Sequence, residues 1–286
     1  MALRLPAIAL GMNLRWIRGP IRASFLSLRV GRKRIMSFLI GLFAGIFGGL
    51  VGLGGGVVMI PLMTRLLGIP QASAHGTSLA VVVFAGLSGA WAYAIEGAVD
   101  FTAALILAAT ASLTARLGAR YCSSLPDWKL KRYFGCVLLA VAALLAVKPY
   151  LGAMAVMSLT GAPAIAALAV TGLATGFIAG LLGIGGGAFL IAGMVLFVGM
   201  GQHVAQGSSL LSMVPAAAVG SWTHWRHGNV VTRILPGLAT GIILGAFLGG
   251  MAANHLPEQT LRVLFAVVLI WLGVDLIRKS KDPGRI

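Results

Sequence analysis

The sequence predicts an all-α polytopic membrane protein with two inverted-topology repeats, glycine-broken or re-entrant helices and roughly 8–10 hydrophobic segments. Three observations predict this class: the composition, an internal repeat and the placement of the charges. Of the 286 residues, 59% are hydrophobic and 10% are charged, whereas soluble domains carry about 25% charged residues. The mean hydropathy is +0.98. The apolar runs are uninterrupted rather than alternating, which favours helices over a β-barrel.

The second observation is a duplicated unit. The segment 49–56 (GLVGLGGG) returns 131 residues later at 180–187 (GLLGIGGG). The same shift carries 74–79 (AHGTSL) onto 205–210 (AQGSSL) and Trp91 onto Trp222. Laying 41–146 over 172–277 needs no gap. Self-similarity on this scale indicates two copies of one structural unit.

The third observation is the charge pattern, a net +16 from 22 Lys and Arg against 6 Asp and Glu. The basic residues lie between apolar runs rather than on one soluble face, so we expect no nucleic-acid partner. Basic clusters lie before Met36, at 116–132, at 226–233 and at 278–285. These basic clusters all lie on the cytoplasmic face only if the two units have opposite orientations in the membrane. Each unit then crosses the membrane an odd number of times, three or five. We therefore expect a multi-pass protein of the inner (plasma) membrane with both termini in the cytoplasm.

The apolar runs divide the chain into two units. Clear spanning candidates are 76–95, 99–118, 133–150, 207–225, 232–253 and 261–277, and longer broken stretches are 36–68 and 163–200. The predicted organisation is a basic leader at 1–35, a first repeat at 36–150, a linker at 151–162, a second repeat at 163–280 and a tail at 281–286. The leader reads as an amphipathic surface segment, an organellar-type presequence or sequence upstream of the true start.

The glycine runs are the first candidate site. Gly54, Gly55 and Gly56, like Gly185, Gly186 and Gly187, should break a helix, because each glycine costs about 1 kcal/mol relative to alanine. Broken backbone is tolerated in a bilayer only where it faces protein or a wet cavity. The helix that starts after each run offers amide groups and a positive dipole end, which suit an anion. The alternative interpretation is close helix packing at small residues.

The second candidate element follows each glycine run and pairs His75-Gly76-Thr77-Ser78 with Gln206-Gly207-Ser208-Ser209. Its hydroxyl groups suit either helix capping or donation to an oxyanion. His75 suits ligand or proton handling, or a structural hydrogen bond. The predicted substrate-binding residues are Gly54, Gly55, Gly56, His75, Thr77, Ser78, Gly185, Gly186, Gly187, Gln206, Ser208 and Ser209.

Several functional classes are disfavoured. None of the clear spans carries a charged residue near its middle, whereas buried carboxylates mark proton- and sodium-coupled pathways. The sequence has no nucleotide-binding loop, metal-ligand cluster or convincing nucleophile–base pair, and Cys122 and Cys136 lack metal spacing. We therefore expect no enzyme activity, no cofactor and no bound metal.

The glycine pattern resembles a known family. The motif Gly45-x-x-Gly48-Gly49-Leu50-x-Gly52-x-Gly54-Gly55-Gly56, with Pro61 and His75-Gly76-Thr77-Ser78, resembles the TauE/SafE sulfite exporter family. The repeat at 176–187 and 206–209 is similar to that family's second half, although Ala192 replaces the proline and Gln206 the histidine. The resemblance covers about 40–280 and implies a multi-helix inner-membrane permease for sulfite, sulfonates or related small anions.

The resulting interpretation is a secondary transporter of a small sulfur-containing anion, working in the lipid bilayer. The interior-negative potential drives an anion outward by about 2.3 kcal/mol per charge per 100 mV, so export is favoured. A channel-like anion pore is the alternative, and an intramembrane enzyme or assembly factor is a third hypothesis. The sequence leaves the oligomeric state open.

Overall fold

The protein is described here by a computed structural model, which covers residues 20–122, 132, 135–143, 159, 161–182 and 186–281. All regular secondary structure in these ranges is helical. Residues 135–143 are helical, and the named helices are α1 Pro20–Val51, α2 Gly56–Leu67, α3 Gln71–Ile95, α4 Phe101–Cys122, α5 Ala162–Leu182, α6 Gly187–Gly193 with its π-helical continuation Met194–Val198, α7 Gln202–Arg226, α8 Leu235–Asn254 and α9 Glu258–Lys281. Gly185, much of the leader, most of the linker and residues 282–286 of the tail lie outside these ranges.

Several of these helices can cross a bilayer. Spans long and apolar enough within the described residues are Arg34–Val51, Ser73–Ile95, Ala162–Ala179, Leu235–Asn254 and Glu258–Arg278. Large apolar side chains are exposed on the outer faces of these spans, among them Phe43, Trp91 and Leu248. Such faces are stable in lipid rather than in water. The predicted all-α polytopic membrane class is confirmed.

The helix bounds follow the 131-residue shift of the sequence. Helix α2 maps onto 187–198, which α6 and its π-helical continuation occupy, and α3 maps onto α7 from first residue to last. The glycines that follow these helices also correspond. Gly68 and Gly199 have φ of 64° and 77°, and Gly97 and Gly228 have φ of 67° and 70°. Each lies in the left-handed region that glycine adopts at helix ends.

Two pairs of packed helices are equivalent under the 131-residue shift, because α1 corresponds to α5 and α4 corresponds to α8. Helix α1 packs along α8 and α4 packs along α5, while α3 packs against α7. Gly41 lies against Leu238 and Gly249 against Ile46, so α1 and α8 run parallel. Thr114 donates a 2.7 Å hydrogen bond to the carbonyl of Leu173, joining α4 to α5. Small residues in α1 and α8 allow the close approach of the two backbones.

The equivalent helices α3 and α7 run antiparallel. Leu79 near the start of α3 contacts Gly220 near the end of α7. Tyr93 near the end of α3 contacts Gly207 near the start of α7. The same helix of the two units therefore runs in opposite directions. The opposite orientation of the complete units in a membrane stays a prediction, which this pair supports.

Two hydrogen bonds between the units are equivalent under the repeat, one with its hydroxyl acceptor in the second unit and one with its acceptor in the first. The amide of Asp100 donates to the Ser208 hydroxyl oxygen at 2.8 Å. The amide of Val231 donates to the Thr77 hydroxyl oxygen at 2.9 Å. The 131-residue shift relates Thr77 to Ser208 and Asp100 to Val231. An approximate twofold relation therefore extends from the backbone to side-chain contacts.

Candidate functional site

The first glycine break lies between α1 and α2. Gly52, Gly54 and Gly55 have φ of 78°, 71° and 76°, a conformation that strains residues with a Cβ atom. The carbonyl of Gly55 accepts hydrogen bonds from the amides of Val58 and Met59. The amides of Gly56 and Val57, which precede these bonds, have no partner within the helix. The glycines therefore let the chain reverse and begin a new helix inside the fold.

The second break lies between α5 and α6. The structure does not describe 183–185, but Gly186 is buried with φ of −85°. Its carbonyl accepts 3.0 Å hydrogen bonds from the amides of Phe189 and Leu190. This start matches that of α2 in hydrogen bonding, although Gly186 and Gly55 differ in φ. The predicted break at Gly54–Gly56 is therefore a chain reversal followed by a helix start at Gly56, and Gly187 is likewise the first residue of a helix.

The two breaks meet beside α7. The hydroxyl oxygen of Ser209 lies 3.4 Å from the carbonyl oxygen of Gly52 and 3.5 Å from that of Gly187. A Cβ added to Gly187 would lie 3.1 Å from the Met213 sulfur, and one added to Gly54 would lie 3.3 Å from the Met213 methyl carbon. Ser209 and Met213 therefore contact segments from both repeats.

Helix α3 contributes the equivalent residues. Ser78 corresponds to Ser209 under the repeat, and its hydroxyl oxygen lies 3.1 Å from the position of a Cβ on Gly56. Val82 corresponds to Met213 and contacts both Gly54 and Gly56. Ser78 and Ser209 are both buried. Hydroxyl groups from α3 and α7 thus adjoin the glycine breaks from two sides.

Gln206 carries a buried amide that lacks one partner. Its side chain is fully buried, and its oxygen lies 2.8 Å from the hydroxyl of Tyr93. Its amide nitrogen has no hydrogen-bond partner among the described residues. Leaving such a donor unpaired costs about 1–3 kcal/mol. Gln206 also packs directly on Gly52, so this donor lies at the first break.

Tyr93 is a site residue that the sequence reasoning missed. It is fully buried, and its hydroxyl oxygen is also 3.0 Å from the carbonyl oxygen of Gly49. It therefore joins α1, α3 and α7. The available signal was a polar aromatic residue inside an apolar span, at the position that His224 occupies in the second unit.

Other predicted residues occupy different positions. The Thr77 hydroxyl donates to the carbonyl of Ser73 at 2.7 Å while accepting from Val231. Thr77 therefore fixes the loop that follows α7, and Ser208 fixes the loop that follows α3. His75 lies one turn before Ser78, and its neighbour Gly76 packs against His224. His75 is about 27 Å along α3 from Tyr93, so the structure does not place it with the Tyr93–Gln206 pair.

The site is closed and contains neutral groups. An apolar cavity of about 30 Å³ adjoins Gly187, with Leu53, Val57, Phe189 and Leu272 among its lining residues. The sequence has no Asp, Glu, Lys or Arg in 36–64, 66–95 or 149–225. The glycine runs, α3 and α7 up to Trp225 can therefore meet an anion with amides and hydroxyl groups but with no ammonium or guanidinium group. Helix α9, which lines the cavity through Leu272, carries Asp275 and the exposed Arg278.

Comparisons with known proteins identify the family of the chain. The family model described as Sulfite exporter TauE/SafE matches residues 37–276. "Probable membrane transporter protein YunE" of Bacillus subtilis (strain 168) is 30% identical over 267 residues, which covers 85% of this chain and 98% of that protein. "Probable membrane transporter protein YdhB" of the same organism is 28% identical over 229 residues, which covers 80% and 94%. No solved structure matches the chain. Because the family match spans both repeats and both glycine breaks, the chain belongs to the TauE/SafE sulfite exporter family.

Proposed function

We propose that the protein is a secondary transporter that exports a small sulfur-containing anion, such as sulfite or a sulfonate, across the inner (plasma) membrane. Membrane transport itself follows from the family and from relatives named as probable membrane transporters. Those names also point to transport rather than catalysis. The substrate, the direction and the cytoplasmic location of both termini are parts of the proposal.

The observation that carries the proposal is the unpaired amide nitrogen of Gln206 at the first glycine break, one turn before Ser209, whose hydroxyl lies against both breaks. Amide and hydroxyl donors bind oxyanions without requiring a buried cation. In the proposed site Gln206 and Ser209 contact the anion together with backbone amides of the two glycine runs, including Gly185. Ser78 lies about 22 Å along α3 from Tyr93, so it contacts the anion at a separate point of its path. Thr77 and Ser208 position the loops, and His75 acts one turn beyond Ser78.

The proposed mechanism is alternating access. Gln206 and Ser209 are fully buried, and neither is among the residues that line the adjoining cavity of about 30 Å³. An anion therefore needs a relative movement of the units to enter and to leave, which inverted repeats perform by rocking. The membrane potential favours outward movement of an anion, about 2.3 kcal/mol per charge per 100 mV.

The proposal is tested by flux in proteoliposomes. Purified protein is reconstituted, and the entry of labelled sulfite, methanesulfonate, thiosulfate, sulfate and acetate is measured against protein-free liposomes. We expect saturable flux of sulfite or of methanesulfonate. Flux that rises linearly with concentration would favour the channel-like alternative. The absence of flux for every sulfur-containing anion would contradict the proposal.

A further inference from the structure

We propose that the site carries singly charged anions, such as hydrogensulfite and sulfonates, and rejects dianions such as sulfate and the fully ionised form of sulfite. This inference rests on the proposed function and adds the charge of the substrate to it. Three properties of the site support this inference. The glycine segments, α3 and nearly all of α7 lack Lys and Arg, the hydroxyl groups face more acceptor oxygens than they can satisfy, and the adjoining cavity is apolar.

The first argument concerns desolvation. The cost of transferring an ion from water into the protein rises with the square of its charge, so a dianion costs about four times as much as a monoanion. The glycine segments, α3 and nearly all of α7 contain no Lys or Arg that could offset this cost. The nearest cation along α2 is Arg65, nine residues after Gly56 and therefore about 13 Å along the helix. Neutral donors can stabilise one charge far more readily than two.

The second argument concerns acceptors. The Ser209 hydroxyl has one proton but faces the carbonyl oxygens of both Gly52 and Gly187. The Tyr93 hydroxyl likewise has one proton but faces the carbonyl oxygen of Gly49 and the side-chain oxygen of Gln206. In each pair the hydroxyl can satisfy one oxygen at a time. The remaining oxygens repel a dianion more strongly than a monoanion, and hydrogensulfite, which keeps a proton, can donate a hydrogen bond to one of them.

The third argument concerns shape. The cavity beside Gly187 is lined by apolar side chains, with Leu53 and Val57 from the first unit and Leu272 and Leu276 from the second. Gly187 lines this cavity and its carbonyl oxygen lies 3.5 Å from the Ser209 hydroxyl, so an anion seated beside Gly187 has a hydroxyl on one side and hydrocarbon on the other. A sulfonate has one charged and one apolar end. Sulfate has charged oxygens on every side and would leave some of them against hydrocarbon without a hydrogen bond.

The test measures flux against pH in proteoliposomes of the full-length protein. Sulfite is held at constant total concentration across its second ionisation, methanesulfonate serves as a monoanion at every pH, and sulfate serves as a permanent dianion. We expect sulfite flux to fall about tenfold per pH unit above that ionisation. Over the same range methanesulfonate flux should stay constant and sulfate flux should stay at the protein-free background.

The outcomes separate this inference from the proposed function. Sulfate flux equal to that of sulfite, sulfite flux that rises with the dianion fraction, or methanesulfonate flux that falls together with sulfite would overturn the monoanion inference while transport stands. No flux of sulfite or methanesulfonate at any pH would overturn both. As a second variant, Met213→Lys adds a cation between the breaks, and we expect it to raise sulfate flux relative to methanesulfonate flux. Met213→Leu changes the same side chain without adding a charge and is the comparison for this ratio, whatever its total flux. An unaltered ratio in a folded Met213→Lys protein would contradict the charge argument.

Discussion

The hydroxyl of Tyr93 lies 2.8 Å from the side-chain oxygen of Gln206, joining a residue of the first repeat to one of the second. Both side chains are fully buried, and the same hydroxyl reaches the carbonyl oxygen of Gly49 at 3.0 Å. This contact sets the orientation of the Gln206 amide, whose nitrogen lacks a protein partner. Tyr93 is therefore a positioning residue for the proposed anion donor.

Replacing Tyr93 with Phe tests this role. Tyr93→Phe leaves both polar atoms of the Gln206 amide without a partner, so we expect a loss of about 1–3 kcal/mol in unfolding free energy. We also expect a higher KM for sulfite flux, because the amide is no longer held toward the anion. Trp91→Phe, an exposed aromatic position on the same helix, is the control. A Tyr93→Phe protein with unchanged KM would remove Tyr93 from the site.

The paired hydroxyls of Thr77 and Ser208 should affect stability more than binding. Thr77→Val and Ser208→Ala each remove the acceptor for one loop amide, that of Val231 or of Asp100. We expect each change to lower stability by about 1 kcal/mol, with KM close to wild type. Thermal unfolding in detergent and flux kinetics measure the two effects. A raised KM with unchanged stability would show that these hydroxyls contact the anion directly.

The backbone of the first break can be tested at Gly55. Gly55 has φ of 76°, and an added Cβ would collide with the carbonyl oxygen of Ala44. Gly68 has φ of 64° with no atom near an added Cβ, so Gly68→Ala measures backbone strain alone, about 1–2 kcal/mol. We expect Gly55→Ala to destabilise the protein by more than Gly68→Ala. Equal melting temperatures of the two variants would mean that the break tolerates a side chain.

The inverted arrangement predicts opposite accessibility of equivalent loops. Glu96 follows α3 and His227 follows α7, at positions related by the repeat. In a protein whose Cys122 and Cys136 are replaced by Ser, we expect Glu96→Cys to be labelled from outside the cell by a membrane-impermeant maleimide. His227→Cys should react only after the membrane is permeabilised. Labelling of both positions from the same side would rule out inversion.

The sequence was sufficient for features that depend on local pattern. Apolar runs predicted the helices, and the glycine run at Gly54–Gly56 predicted the break between α1 and α2. The observed helix ends differ from the predicted spans by a few residues. Helix α7 begins at Gln202 rather than at 207, because Gln202 and Gln206 are polar and interrupt the apolar run although both are buried in the fold. The Tyr93–Gln206 contact joins residues 113 positions apart. No local pattern predicts it, since it arises only when α3 and α7 pack.

The central claim is that two glycine breaks from opposite repeats form one anion site, and a matched pair of variants tests it most directly. A methyl group added at Gly187 would lie 3.1 Å from Met213, where the breaks meet, and one at Gly220 would lie 3.1 Å from Leu79, away from them. Both neighbours are flexible side chains. In proteoliposomes with equal amounts of protein, we predict that Gly187→Ala lowers sulfite flux at least tenfold, a change that corresponds to about 1.4 kcal/mol. We predict that Gly220→Ala keeps wild-type flux. Equal flux from the two variants would contradict the account.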